Sequence, residues 1–330
     1  MIIEHFQPYI GKHCETTTVG NLLRHSGLEL SEPMLFGIGE GLSFIYWDSK
    51  QMEFPFMGGR CKPDVLTENL VKNLNLTMEV SQTASKSKAW ENVKSKLDCG
   101  IPVGLKLDCY YLEYFTQKIH FAGHYVTIYG YDDQFAYLID TDQQGSKVVT
   151  SLSSLAEARS AKGAMSSNNR SFTLTASGEM PDLKKAIDTA IRNHASAYLH
   201  PPIQNISFKG IRKAAKRIEG WFDRPGMTPE LIVQAGTLME RAGTGGALFR
   251  NLYRDFLKEC HERYPDLKLE RSYAQFSAVA EMWTNVSGLI TKAGESSNEM
   301  YLKEASLLMR DIASLEEEAM KSLLENISAH

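Results

Sequence analysis

The stretch GHYVTIYGYDDQFAYLIDTD, residues 123–142, decides how this chain is read. Val, Ile, Tyr, Phe and Thr crowd two short runs, HYVTIYGYD (124–132) and FAYLIDTD (135–142), joined through Asp132, Asp133 and Gln134. β-Branched and aromatic residues suit a pleated, half-buried surface, and a short Asp-rich break is turn chemistry. The pair therefore reads as neighbouring antiparallel strands. In such a pair the start of one strand lies beside the end of the next. His124 opens the first run and Asp140 closes the second, so the topology predicts that the carboxylate meets the imidazole and fixes its tautomer. A strand-edge His–Asp pair kept for stability alone is the competing reading of these two residues.

Working outward, PVGLKLD (102–108), KVVTSL (147–152) and SFTLTA (171–176) carry the same strand signal, and Asp142 to Gly145 is a further turn. Helical spacing marks 64–75, and 87–99 opens on a capping serine and stops before Gly100. A short helix is expected from Glu15 to about Arg24, ending at Gly27. After Gly178 the strand signal vanishes and helices are expected at roughly 182–199, 207–222, 228–241, 246–263, 270–292 and 297–327. The pattern predicts an α+β chain with a catalytic domain over 1–178 and an all-helical domain over 179–330. In the last helix, Tyr301, Ala305, Leu308, Ile312, Leu315, Ala319, Leu323 and Ile327 form the expected buried stripe, with Glu316-Glu317-Glu318 as its solvated flank.

Composition narrows the chemistry. The chain has 330 residues, 43% of them hydrophobic and 23% charged, with a net charge of -4. That length favours two domains, and the charge gives no reason to expect nucleic acid. The five cysteines (Cys14, Cys61, Cys99, Cys109, Cys260) are scattered and form no CxxC pair, so reduced thiols in a cytoplasmic protein are expected. No signal peptide or membrane span is visible. His13, His120 and His124 match no common zinc spacing, so no metal is expected.

Cys14 stands where the first helix should begin. Unpaired N–H groups of a first helical turn stabilise a thiolate and can face an oxyanion, although most cysteines are inert small hydrophobes. With His124 and Asp140 it completes a nucleophile–base–orienter set. This order of Cys, His and Asp resembles the papain-like cysteine hydrolases, especially the leader peptidases of bacteriocin exporters. More specifically, GKHCETTTVGNLLRHSGLELSEPMLFGIGEGLSFIYW (11–47), DCYYL (108–112) and GHYVTIYGYDD (123–133) resemble the N-terminal domain of the butirosin biosynthesis protein H family. RAGTGGALFRNLYRDFLKE (241–259) resembles its C-terminal companion.

The resemblance implies a papain-like fold and a cysteine-dependent acyltransferase. Cys14 would carry an acyl or aminoacyl group taken from the phosphopantetheine thioester of an acyl carrier protein. His124 would act as base and Asp140 as orienter, and an amine-bearing small molecule would be the acceptor, in natural-product biosynthesis. No bound cofactor is needed, and a homo-oligomer is compatible with the sequence. Papain-like enzymes place an oxyanion glutamine five or six residues before the cysteine; here Gln7 lies seven before Cys14 and would have to reach through a bulge. A peptidase or amidase would use the same triad with water, and a binding protein would leave Cys14 unreactive.

Further residues carry a substrate reading beside a structural one. Glu32 and Glu40 could meet a cationic amine or be surface acids. Gly37, Gly39 and Gly41 follow no clear strand, so they are expected to form a backbone wall rather than a dinucleotide loop. Asp108, followed by Tyr110, could bind substrate or cap a turn. Arg241 and Arg250 flank an AGTGG loop that could cradle the phosphate of the carrier arm, or simply stop one helix and start another. Trp221 and Trp283 are expected in the core.

Overall fold

The computed structural model describes residues 1–49, 52, 54–163, 165–176, 182–241 and 245–328. In chain order its elements begin with α1 (Cys14–His25), α2 (Glu32–Ile38), β1 (Leu42–Trp47), β2 (Phe56–Arg60), α3 (Val65–Asn73), β3 (Thr77–Ser81) and α4 (Lys86–Asp98). Next come β4 (Val103–Leu107), β5 (His124–Tyr131), β6 (Phe135–Ile139), β7 (Lys147–Ser151), α5 (Leu152–Ser160) and β8 (Ser171–Thr175). The helices α6 (Leu183–Leu199), α7 (Ser207–Ile218), α8 (Pro229–Arg241), α9 (Ala247–Arg263), α10 (Glu270–Ser296) and α11 (Met300–Ser328) complete the chain. None of the described helices is long and apolar enough to cross a membrane. The chain is α+β, as its pattern predicts.

Two compact units emerge: Met1–Leu35 with Leu66–Asp182, and Phe36–Val65 with Leu183–His330. This corrects the division at residue 178. Residues 36–65 pack with the C-terminal helices because their apolar side chains are core there: Phe36 stacks on Phe249 and Phe44 on Trp283. The LFGIGEGL stretch is correspondingly not a loop wall. Its first part is helical in α2, and Gly37 sits so close to the Phe256 ring that a Cβ would lie 2.1 Å from it.

In the first unit six strands form one sheet in the order β3-β8-β4-β5-β6-β7, with antiparallel neighbours throughout. Asp132 makes the β5–β6 turn by accepting from Gln134 N and Phe135 N at 2.8 and 2.7 Å. Leu105, Leu107, Val126 and Ile128 share one sheet face and pack with Val93 and Leu97 of α4 and with Leu155 and Ala158 of α5. Thr127 points to the other face, where its hydroxyl donates to Thr18 O of α1 at 3.5 Å. α1 is buried along most of its length, with Val19, Leu22 and Leu23 at 0–2% exposure. Each such side chain contributes about 1.5–3 kcal/mol. A buried helix on an antiparallel sheet, with cysteine as its first residue, is the papain-like arrangement.

In the second unit β1 and β2 form an antiparallel hairpin, and α6 to α11 supply the helical core. Trp221 and Trp283 are buried there, as expected. At its centre lies an ion pair. Arg250 Nε is 2.8 Å from Glu316 Oε1, both side chains are 0% exposed, and Trp283 Nε1 donates to the same oxygen at 3.0 Å. Tyr198 Oη donates to Glu316 Oε2, and Arg250 Nη1 donates to Gly59 O at 3.3 Å. Glu316 is therefore not part of a solvated flank; of the acidic run, Glu318 is the exposed member. Position 316 falls in helical step with buried Met309, Ile312, Met320 and Leu323, so the stripe runs through it.

Candidate active site

The chain leading to Cys14 is held on several sides before α1 begins. Asn21, inside the helix, pairs with the Tyr9 backbone: Tyr9 N donates to its Oδ1, and its Nδ2 donates to Tyr9 O, both at 2.8 Å. Glu32, the first residue of α2, accepts from Lys12 N at 3.0 and 2.9 Å, His13 N at 2.8 Å and Thr16 Oγ1 at 2.8 Å. Its carboxylate thus organises the approach to the nucleophile, which explains it better than an encounter with an amine. Asp142 N donates to Gly11 O at 3.0 Å and ties this approach to the segment just after Asp140. A Cβ on Gly11 would lie 2.7 Å from Glu32 Oε1, so a larger residue there would displace the carboxylate that organises this approach.

Cys14 is half-buried at the first position of α1, and its side chain interacts with that of His124. His124 Nε2 lies 2.8 Å from Asp140 Oδ2, which leaves Nδ1 as the ring nitrogen for the thiol. The Phe115 ring meets the imidazole edge-on, with centroids 5.3 Å apart, and limits its rotation. Asp140 is 0% exposed; its Oδ1 accepts from Thr141 N at 2.7 Å and its Oδ2 also accepts from Tyr114 Oη at 2.8 Å.

Burial alone would push the His124 pKa down. The charge of Asp140, then that of Cys14, and hydrogen bonds to both outweigh this and hold it well above its ordinary value. A proton taken from the thiol therefore stays on the ring. Burial, reinforced by the same Asp140 charge, pushes the Tyr114 phenol well above 10, so its hydroxyl remains a donor. Tyr114 escaped the sequence reading because it sits in the β4–β5 connection, where no periodicity aims a side chain. The only available signal was its place in the aromatic run preceding His124.

The remaining candidate residues separate into used and unused groups. Asp108 is buried and caps a turn: it accepts from Tyr110 N and Phe121 N and bonds His120 Nδ1 at 3.1, 2.9 and 2.9 Å. These bonds are those of the turn-capping reading. Tyr110 is exposed and stacks on His120 at 3.9 Å. Gln7 is exposed, whereas an oxyanion donor has to point into a site sheltered from water. The N–H groups of the first α1 turn, which have no carbonyl partner within the helix, are the better donors.

Glu40 belongs to the second unit, where Asn193 Nδ2 approaches it at 3.4 Å. Arg250 is buried against Glu316 and is not available to a phosphate. The first N–H of α9 is likewise taken, by Glu240 Oε1 at 3.2 Å. Arg241 ends α8, and its side chain and residues 242–244 of the AGTGG loop lie outside the described residues. Gly245 and Gly246 have φ of 104° and 67°, conformations that suit glycine at a helix restart.

Among the other thiols, burial raises the Cys109 pKa and raises that of Cys260 well above its usual range; Cys61 is half-buried and Cys99 exposed. His13 and His120 bond to Thr16 and Asp108, apart from the His124–Asp140 pair. Among the described residues no group of three or more His, Cys, Asp or Glu side chains is arranged to hold a metal ion.

Comparison with known proteins also divides the chain in two, but sequentially, near residues 142–152. No curated protein matches the chain. Residues 13–141, which contain Cys14, His124 and Asp140, match the family model described as butirosin biosynthesis protein H, N-terminal. Residues 153–323, which contain α5, β8 and most of the helical unit, match a domain of unknown function, DUF4872. With both matches in sequence along one polypeptide, the chain belongs to the butirosin biosynthesis protein H family.

Proposed function

We propose that the protein is a cysteine-dependent acyltransferase. The Cys14–His124–Asp140 arrangement at the start of α1 carries this reading. In the first half-reaction Cys14 Sγ attacks the carbonyl of an acyl thioester. His124 takes the thiol proton and returns it to the departing donor thiol as the donor C–S bond breaks. The tetrahedral oxyanion is met by first-turn N–H groups of α1. In the second half-reaction an amine attacks the acyl-enzyme, its proton passes to His124, and the Cys14 sulfur leaves and recovers that proton as the amide forms. Asp140 holds Nε2, so Nδ1 faces the sulfur throughout, and it stabilises the imidazolium.

Membership of a family named for butirosin biosynthesis supports an amine-bearing acceptor and a place in natural-product biosynthesis. The same membership supports an acyl carrier protein, through its phosphopantetheine thioester, as donor. With Arg250 buried, the donor reading no longer draws on a cationic phosphate cradle formed by Arg241 and Arg250.

The test is intact-mass measurement after incubation with an acyl-thioester donor, followed by an amine chase. One acyl adduct on the protein, absent in Cys14→Ala and discharged faster by amine than by water, is the expected result. An adduct that persists in Cys14→Ala refutes the nucleophile. Discharge at the same rate with and without amine replaces transfer by hydrolysis.

A further inference from the structure

On the face of the sheet opposite α1, α4 and α5 border a half-open cavity of about 280 Å³. Ligand pockets begin near ~300 Å³, and a water occupies ~30 Å³, so the space sits at the small end of that range and matches only a compact organic molecule. Trp90, Leu152, Leu155 and Ala156 make its apolar wall, and Lys86 and Arg159 bring the positive charge.

Arg159 is the unusual member. Its residue is 3% exposed, and its Nη1 and Nη2 donate to the backbone oxygens of Ala89 and Asn169, each at 3.2 Å. Its Nε is buried with no hydrogen-bond partner. A guanidinium carries five N–H donors, and a buried cation normally has an anion beside it. Arg250 in the same chain follows that rule through Glu316. Arg159 does not: burial alone pulls its pKa down to about 10, with no carboxylate acting to raise it.

The backbone around Arg159 is fixed. Ser167 Oγ and Asn169 N both donate to Arg159 O, at 2.6 and 3.0 Å, and Asn168 and Asn169 adopt left-handed φ values of 50° and 54°. Consecutive non-glycine residues in that region cost energy and persist only where the surroundings hold them. At the cavity, Lys86 is paired with Glu157 at 2.6 Å, so those charges cancel and Arg159 leaves one positive charge in excess. The complement of that charge is a monoanion, and the complement of the wall is an aryl or alkyl body.

We propose that the α4–α5 cavity binds a small organic carboxylate, its carboxylate on the Arg159 guanidinium and its apolar body against Trp90 and Leu155. The site lies across the sheet from α1, and its occupancy does not depend on acyl transfer by Cys14.

The experiment titrates intact protein with benzoate and hexanoate by calorimetry, with benzylamine and inorganic phosphate as comparison probes. It is repeated after Cys14 is blocked with iodoacetamide. The Nε–H resonance of Arg159 is followed by NMR in the wild-type protein. Saturable carboxylate binding at one site, unchanged by the block and accompanied by a shift of that resonance, is expected. Ala156→Phe fills the cavity while leaving the Arg159 side chain itself unchanged, and should weaken binding at least tenfold. Absence of carboxylate binding, an unmoved Arg159 resonance or undiminished affinity in Ala156→Phe overturns the proposal; so does phosphate or benzylamine binding in place of the carboxylates. Should that variant fold poorly, the wild-type resonance decides alone. Failure of Cys14 acylation would leave this result standing, because the two readouts are separate.

Discussion

Replacing Glu316 by methionine removes the one carboxylate that answers three donors in the second unit. Arg250 would keep a full positive charge at 0% exposure, and Trp283 Nε1 and Tyr198 Oη would lose their acceptor. Breaking a buried ion pair from one side costs about 3–5 kcal/mol. Each stranded neutral donor adds about 1–3 kcal/mol, less than additively because all share one site. A loss of roughly 5 kcal/mol is comparable with the whole stability of many domains, so the helical unit should unfold in much lower urea. The double change Arg250→Met with Glu316→Met removes both charges, and leaves chiefly the Trp283 and Tyr198 donors, for a loss of about 1–3 kcal/mol. The assay is urea unfolding followed by tryptophan fluorescence, in which buried Trp221 and Trp283 report on this unit. A Glu316→Met loss below about 1 kcal/mol, or a double variant as damaged as the two singles summed, would refute the reasoning.

Three further outcomes concern the triad. His124→Ala should abolish acylation, whereas Asp140→Asn should leave a measurable remainder, since the carboxylate orients the ring and does not move the proton; single-turnover rates check both. Tyr114→Phe removes one hydrogen bond to Asp140 and should lower the acylation rate by about tenfold, equivalent to about 1.4 kcal/mol, with little effect on thermal stability. A Tyr114→Phe rate equal to wild type would mean that Thr141 N and His124 suffice to hold the carboxylate. Finally, the folded-state pKa of His124 lies above its unfolded value near 6.5, so the native protein binds the extra proton between those two values. Its contribution to stability is complete below about 6.5 and is lost as pH rises through the folded pKa. Asp140→Asn should move the NMR titration of the ring to lower pH and shrink that window; an unmoved titration would contradict the assigned cause.

The core of the fold was legible where one residue pattern answered to one physical demand. The β5–β6 pair, its Asp132 turn and the His124–Asp140 encounter all follow from alternation and antiparallel pairing. The helix at Cys14 followed from its start position, although the Glu32 carboxylate that shapes the approach comes from a segment read as possibly surface-exposed. What escaped was set by tertiary partners. β3 is a mostly exposed edge strand and so lacks an apolar face to announce it. The β1–β2 hairpin carries Gly58 and Gly59, which weaken a strand signal, and finds its partners among helices more than a hundred residues later. Arg250 was read toward a phosphate and Glu316 toward solvent because sequence alone does not show that two opposite charges on α9 and α11 meet in the core. Tyr114 lies in a loop, where side-chain direction depends on the folded path.

The grouping of residues 36–65 with the helices from 183 onward has a consequence for synthesis on the ribosome. Translation at about 5–20 residues per second separates emergence of the hairpin from completion of α11 by roughly ten seconds to a minute. During that interval the sheet of the first unit can assemble while the hairpin, with Phe44 and Tyr46 on it, has no helices to bury them. Those aromatic side chains and the free strand edges are then the surfaces on which a nascent chain would associate with others or with a chaperone. Closing a 30-residue excursion between Leu35 and Leu66 adds little entropy cost to the first unit. The delay therefore falls on the hairpin, and changes that slow elongation after residue 65 should reduce soluble yield more than changes of equal size before residue 36.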